Sequence, residues 1–328
     1  SYLERIQVDG RWISEDTFAR LTSMVQNAIA RIEAAGDASP TVFEVETAIA
    51  FLYFREMNCD LVVLECGLGG AEDATNVIEQ TLLAVFTPIS RDHLGILGCT
   101  LEEIASVKAG IIKPGCTVVT APQEPEVLQI LKKQAGQFQC PLAAANRQDT
   151  ELIEEAYDGQ TVSYKDWKNL YCPLAGRYQL DNVITALEAL RMLGTLGYPV
   201  SPDALRKGLS KTVWPGRLTC LTRNPLFLID GAHNEAAAKK LRESLEAYFP
   251  GRRFIYIMGV FKDKEYEKIA GIMAPLARSV HTVSLPDTAR TLPAEELAGV
   301  MKRYCAAEDP IPAQNCMGSA IQDTNVPV

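Results

Sequence analysis

Apolar and polar positions along the chain fall into blocks that predict strands ending in polar loops and helices with one apolar face. Arg5–Val8 and Arg11–Ile13, on either side of Asp9-Gly10, predict a short hairpin. Ser14 caps a helix expected to run to about Ala35, before Gly36. Thr41 and Glu44 have capping-box spacing and open a second helix over 42–57, apolar around most of its surface. Leu61-Val62-Val63-Leu64 reads as a short strand buried on both faces, and Leu82–Thr87 as another. Thr100 and Glu103 open a third helix over 101–112, ended by Gly110, Pro114 and Gly115. A strand at 117–121, a helix at 125–135 and a strand at 142–145 follow, then a polar, hairpin-like stretch over 146–170. A helix is expected over 182–194 and a short one from Pro202 to Leu209. After Trp214-Pro215-Gly216-Arg217 the pattern restarts. It predicts strands at 226–230, 254–259 and 281–285, and helices at 235–248, 265–277 and 293–305. From 306 onward no period is visible. The alternation predicts an α/β chain in two parts, a mostly parallel sheet flanked by helices over 1–217 and a smaller Rossmann-like unit over 218–328.

Composition narrows the function. The chain has 328 residues, 47% of them hydrophobic, enough for about two domains with sizeable cores. It carries 32 basic and 41 acidic residues, a net charge of −9 with no basic patch, which argues against nucleic acid as a partner. No apolar run is long enough to span a membrane and no signal peptide is visible. Nine cysteines without a CxxC pair read as reduced thiols in a cytoplasmic protein.

The chemistry gathers at predicted strand ends. Glu65 follows the first buried strand at once, and Gly67, Gly69 and Gly70 come next, where backbone must approach a ligand closely. A carboxylate there is costly to bury without a cation or donors. His93 lies just beyond the second strand. Lys108 shares a helix face with Leu101, Ile104, Ala105 and Ile112, so it must snorkel, pair or be chemically altered. A carboxylate, an imidazole and an inward lysine suit a magnesium site that also holds phosphates, although histidine is an uncommon magnesium ligand. Asp230 and His233 stand at the carboxyl end of the first strand of the second part. Taken singly, a histidine is more often a structural hydrogen-bonder; the joint placement is what favours function.

Several motifs occur in one order: LECGLGG-(x2)-DATN, DH-(x3)-LG-(x)-TLEEIA-(x2)-KAGIIKPG, Gln179-(x2)-Asn182, WPGR and DGAHN. In this the chain resembles the folylpolyglutamate synthase and dihydrofolate synthase family of Mur-ligase-like, ATP-dependent amide ligases, over residues 1 to about 300. The resemblance implies a P-loop NTPase-like first domain and a C-terminal glutamate-ligase domain. It implies ATP-driven activation of a folate carboxylate as an acyl phosphate, then attack by the amine of L-glutamate. Dihydropteroate is the corresponding substrate of a bifunctional enzyme. By resemblance Glu65 and His93 are magnesium ligands, and Lys108 matches a lysine that is carbamylated in the superfamily. Asn182, with Gln179 beside it, and Arg217 match residues facing ATP, Asp230 a nucleotide-ribose contact, and His233 a residue near the reacting groups. A monomer is the expected state. The chain departs from the pattern at Ala71, where the family usually has Arg, at Tyr178, where His precedes Gln, and at Glu235, where Pro follows HN. No GxxxxGK[ST] occurs in these residues, and Ser1–Ile6 match a point after that loop. The expectation is that further segments flank the 328 residues, and an intact mass equal to that of these residues alone would refute it. Two other readings stand beside the folate ligase: another Mur-type amide ligase, and a non-catalytic relative without a P-loop.

Overall fold

The computed structural model describes residues 2–90, 97–286, 289–305 and 313–314. These residues form two compact units, 1–144 and 145–328.

The first unit opens with the hairpin β1 (Gln7–Val8) and β2 (Arg11–Trp12). Two helices follow, α1 (Glu15–Ala34), capped by Ser14, and α2 (Val42–Glu56), which has the full Thr41/Glu44 capping box. Leu21, Val25, Ile49 and Tyr53 bury one face of this helix pair against Ile6 and Ile13. A parallel sheet of order β3-β4-β5 is built from β3 (Leu83–Phe86), β4 (Thr117–Thr120) and β5 (Leu142–Ala144). Its crossovers carry α3 (Leu101–Ala109), opened by the Thr100/Glu103 capping box, and α4 (Pro125–Gln137). Val118, Ile104, Val127 and Leu131 are fully enclosed in the core between them. Each such aliphatic side chain contributes about 1.5–3 kcal/mol by leaving water.

One expectation fails here. Leu61–Leu64 is not a buried strand: Leu61, Val62 and Val63 are 45%, 43% and 96% exposed, and the segment pairs with no strand among the described residues. An apolar run records what a segment can bury, and a strand forms only where a neighbour meets its backbone groups.

The second unit begins with an antiparallel meander, β6 (Thr150–Ala156), β7 (Gly159–Tyr164) and β8 (Trp167–Cys172). Helices α5 (Gln179–Thr195) and α6 (Pro202–Ser210) pack on it around Val162, Tyr164, Ile184 and Leu187. The buried Glu188 carboxylate accepts from Tyr164 Oη (2.9 Å), Lys165 Nζ (2.8 Å) and Arg191 Nη2 (2.6 Å). An isolated carboxylate there would be costly, and these donors offset the desolvation.

Strand β9 (Thr219–Arg223) runs antiparallel to β10 (Leu226–Ile229). The predicted first strand of the Rossmann-like part therefore pairs backward with a strand that periodicity did not reveal. Next come α7 (Glu235–Tyr248), β11 (Phe254–Met258), α8 (Tyr266–Met273), β12 (Ala277–Val283), α9 (Ala294–Tyr304) and β13 (Ala313–Gln314). The last three strands form a parallel sheet of order β11-β12-β13. Ala238, Leu245, Ile269, Val280, Leu297 and Met301 form its core with the helices.

Candidate active site

In the first unit the glycine-rich turn is fastened to the end of α3. Gly69 takes φ +78°, the left-handed region that favours glycine. A Cβ on Gly70 would lie 2.7 Å from Lys108 O and 2.8 Å from Val107 O, so only glycine fits against the helix. Ala71 N–H donates to Val107 O (3.2 Å), and Asn76 Nδ2 donates to Ala71 O (3.0 Å) and Gly110 O (3.2 Å). Lys113 Nζ donates to Asn76 O (3.1 Å). Lys108 is half-buried on the last turn of α3, while Leu101, Ile104, Ala105 and Ile112 on its face are buried. Glu65 is exposed. Burial pushes the Cys66 thiol up; Asp73 and Glu65 push it the same way, whereas the Lys108 charge pulls it down. Glu65, Asp73 and Lys108 thus act electrostatically on one sulfur. His93 lies outside the described residues. Among the described residues no group of three or more His, Cys, Asp or Glu could hold a metal.

Asp73 shapes this turn. Its carboxylate accepts from Leu68 N (2.8 Å), Thr75 N (3.0 Å) and Thr75 Oγ1 (2.6 Å). Burial raises its pKa, but these hydrogen bonds outweigh burial and hold the carboxyl below its usual range. The signal was in the sequence: Asp two residues before Thr is the spacing of an Asx turn. Asp73→Ala leaves buried N–H groups unpaired and is expected to cost about 1–3 kcal/mol in urea unfolding. Because the folded pKa is lowered, the ionised carboxylate stabilises above the ordinary Asp range, and this contribution fades as pH falls through the lowered value. Asp73→Asn is expected to lose that acid-side dependence.

In the second unit two turns are stitched together. Gly231 N–H donates to Gly216 O (2.8 Å). Asp230 accepts from Leu218 N (2.8 Å) and Ala232 N (2.8 Å), tying the WPGR turn to the DGAHN turn. Burial pushes the Asp230 carboxyl up, opposed by these N–H groups and by the charges of Arg217 and His233. A Cβ on Gly231 would lie 2.7 Å from Arg217 Nη1, so the glycine makes room for the guanidinium. His233 is exposed, with Nδ1 2.8 Å from Gly231 O. Asn234 caps α7, accepting from Ala237 N at 2.8 Å.

The start of α5 carries two further residues that the motifs single out. Asn182 Nδ2 donates to Gln179 Oε1 (2.8 Å). Tyr178, just before them, has its hydroxyl pushed up to about 12 by burial, with the Asp230 carboxylate adding to the effect and Arg217 opposing it. Asp181 in this first turn is held by Arg147 through two 2.6 Å hydrogen bonds. The structure brings Arg217, Asp230 and His233 together at the joined turns, and Tyr178, next to Gln179, lies close enough to feel the charges of Asp230 and Arg217. In the sequence Tyr178 stands out only as the residue before Gln179 at which the family has His. The joined turns offer a planar cation and an orientable imidazole, a pair suited to phosphates and a transferring acyl group.

Comparison with known proteins defines the class first. The Mur ligase middle domain matches residues 12–190, and the Mur ligase glutamate ligase domain matches residues 216–323. The dihydrofolate synthase/folylpolyglutamate synthase of Bacillus subtilis is 36% identical over 319 residues, covering 94% of this chain and 74% of that protein. The folylpolyglutamate synthase of Lacticaseibacillus casei is 31% identical, covering 88% of this chain and 69% of that protein. The chain belongs to the folylpolyglutamate synthase/dihydrofolate synthase family of Mur ligases. The solved folylpolyglutamate synthase of Thermotoga maritima superposes with a TM-score of 0.87 at 28% identity, covering 99% of this chain and 75% of that one. A solved FPGS–AMPPCP–folate complex superposes with a TM-score of 0.80 at 29% identity, covering all of this chain and 81% of that one.

Proposed function

We propose that the protein is an ATP-dependent ligase that adds L-glutamate to the γ-carboxylate of folate, and in a bifunctional form also to dihydropteroate. The observation that carries this is the joined WPGR and DGAHN turns presenting Arg217, Asp230 and His233, in a chain homologous to curated folylpolyglutamate and dihydrofolate synthases.

The reaction runs in two steps. A carboxylate oxygen of folate attacks the γ-phosphorus of ATP, ADP leaves, and an acyl phosphate forms. The glutamate amine attacks the acyl carbon, the C–O bond to phosphate breaks, and an amide remains. The amine's protons pass to base, and phosphate departs with one former carboxylate oxygen.

Arg217 offsets phosphate charge with a fixed planar fork. Asn182 and Gln179 engage the nucleotide, and Asp230 contacts its ribose while bracing the two turns. With Nδ1 donating to Gly231 O, His233 is held in the tautomer whose Nε2 lone pair can take a proton from the incoming amine.

The exposed Glu65 carboxylate is a hard oxygen donor of the kind magnesium prefers. Glu65, His93 and carbamylated Lys108 would hold it, and when bound it would neutralise phosphate charge. Carbamylation would convert the half-buried Lys108 cation into an anion able to support a metal.

We also read residues 1–217 as the ATPase-like domain and 218–328 as the ligase domain, which the limits of the two matched domains support. The protein acts as a monomer in the cytoplasm. In support, all eight described cysteines are free thiols, and no helix among the described residues is long and apolar enough to cross a membrane.

The test is ADP release by the full chain. Sustained, multiple-turnover release is expected to require folate and L-glutamate together and to ignore muramyl precursors. ADP release driven by a muramyl precursor would transfer the assignment to another Mur-type ligase.

A further inference from the structure

We infer that a cationic groove leading away from Arg217 binds the γ-linked oligoglutamate tail of the substrate, an inference that rests on the ligase reading above.

Two adjoining cavities of the second unit share Ser210. One, of about 370 Å³, is lined by Arg217, Trp214, Lys211 and Arg223. The other, of about 430 Å³, is lined by Arg206, Lys207, Tyr171 and Asp203. Together they set cations along a path that begins at Arg217 and runs down the end of α6. The surroundings do not neutralise them all. Arg223 is paired with Asp158 at 2.9 Å. Arg206 is instead held by two backbone carbonyls, Asn169 O (2.9 Å) and Lys168 O (2.8 Å), and forms no ion pair among the described residues. Lys207 and Lys211 form no ion pair among the described residues and stand four residues apart, on one side of the helix end. Asp203 sits in the first turn of α6, where the helix dipole already favours it.

This concentration of positive charge stands out on a chain of net charge −9. A groove of one sign focuses the field and selects a ligand of the other sign. Each glutamate added by the proposed reaction carries a γ-carboxylate of its own, so repeated additions build a γ-linked oligoglutamate tail. It gains one α-carboxylate per turnover on a flexible, regularly spaced backbone. Cations strung along a groove match such a ligand; a single phosphate needs a compact pocket with backbone donors. Trp214, 53% exposed at the Arg217 end, offers an apolar face to the methylenes between carboxylates.

The test is the double variant Lys207→Glu, Lys211→Glu in the full chain, with Lys207→Ala, Lys211→Ala as a milder companion. Neither lysine belongs to the proposed catalytic machinery, and both are exposed. Charge reversal is expected to raise KM for pentaglutamyl folate about tenfold while KM for the monoglutamate and both kcat values change less than about twofold. The alanine pair is expected to fall between. Added salt is expected to weaken the pentaglutamate preference of the wild type and leave the reversed variant unmoved. A parallel measurement needs no turnover: fluorescence anisotropy of a labelled penta-γ-glutamyl peptide, with ATP as competitor. Weaker peptide binding by the reversed variant, with ATP failing to displace the peptide, supports the groove. Equal binding by wild type and variant, displacement by ATP, or equal KM changes for both folates would overturn it. Failure of the ligase reading looks different, since wild type would then turn over neither folate.

Discussion

Arg217→Lys is expected to lower kcat by about 10²–10³-fold and to change the KM for ATP much less. The side chain sits beside Asp230 on a turn braced by Gly231 N–H to Gly216 O at 2.8 Å. A lysine keeps the charge but presents a single strongly hydrated point, so the two-pronged contact to developing phosphate charge is lost. Charge that develops mainly in the transition state makes this a kcat effect. A second substitution reaches the same group without altering it. Gly231→Ala places a methyl 2.7 Å from the present position of Arg217 Nη1, and the guanidinium must swing away. The displaced atom is the end of a flexible side chain and Gly216 O lies 3.3 Å from the added methyl, so only a small loss of stability is expected while kcat falls in the same direction as for Arg217→Lys. Steady-state kinetics with a thermal melt for each variant checks both statements. A Gly231→Ala enzyme with normal kcat would remove Arg217 from the role proposed.

Lys108→Ala is expected to reduce turnover by about 10³-fold and to leave the fold intact. The residue is half-buried, and its backbone, not its amine, carries the packing against Gly70. Removing the side chain therefore spares that contact. What disappears is the group that, as a carbamate, would support magnesium next to the phosphates. Activity assayed at rising magnesium separates the roles: a purely structural lysine would give near-normal turnover, which would reject the carbamate.

Much of the fold was legible because its signals are local. Ser14, Thr41 and Thr100 cap helices where the spacing places them, since a side-chain oxygen two or three residues from a free N–H acts over one turn. The β3, β4 and β11 segments are apolar runs closed by turn residues, and they pair in parallel. What the sequence did not reveal is non-local. Leu61–Leu64 reads as a buried strand because its composition is that of one, yet burial depends on what lies alongside. Strand β9, with Thr219, Thr222 and Arg223 among its residues, is polar and joins β10 through a tight return, so neither period nor apolarity marks it.

The candidate site was readable at the motif residues. The face carrying Lys108 emerges from the helical period alone, and Asp230 and His233 from their position after a strand. The residues that hold the motifs in place were harder to see. Asp73 is buried with its donors, and Tyr178 is pushed up to about 12 beside Asp230 and Arg217, for reasons set by the folded surroundings. Arg147 reaches Asp181 across 34 residues of sequence, a partnership no local pattern encodes.

The central claim is that a folate carboxylate is activated as an acyl phosphate before the amide forms. Folate labelled with ¹⁸O in its γ-carboxylate, incubated with ATP, L-glutamate and the full chain, tests it most directly. The account predicts inorganic phosphate carrying one labelled oxygen for each amide made. Unlabelled phosphate accompanying amide formation would contradict it.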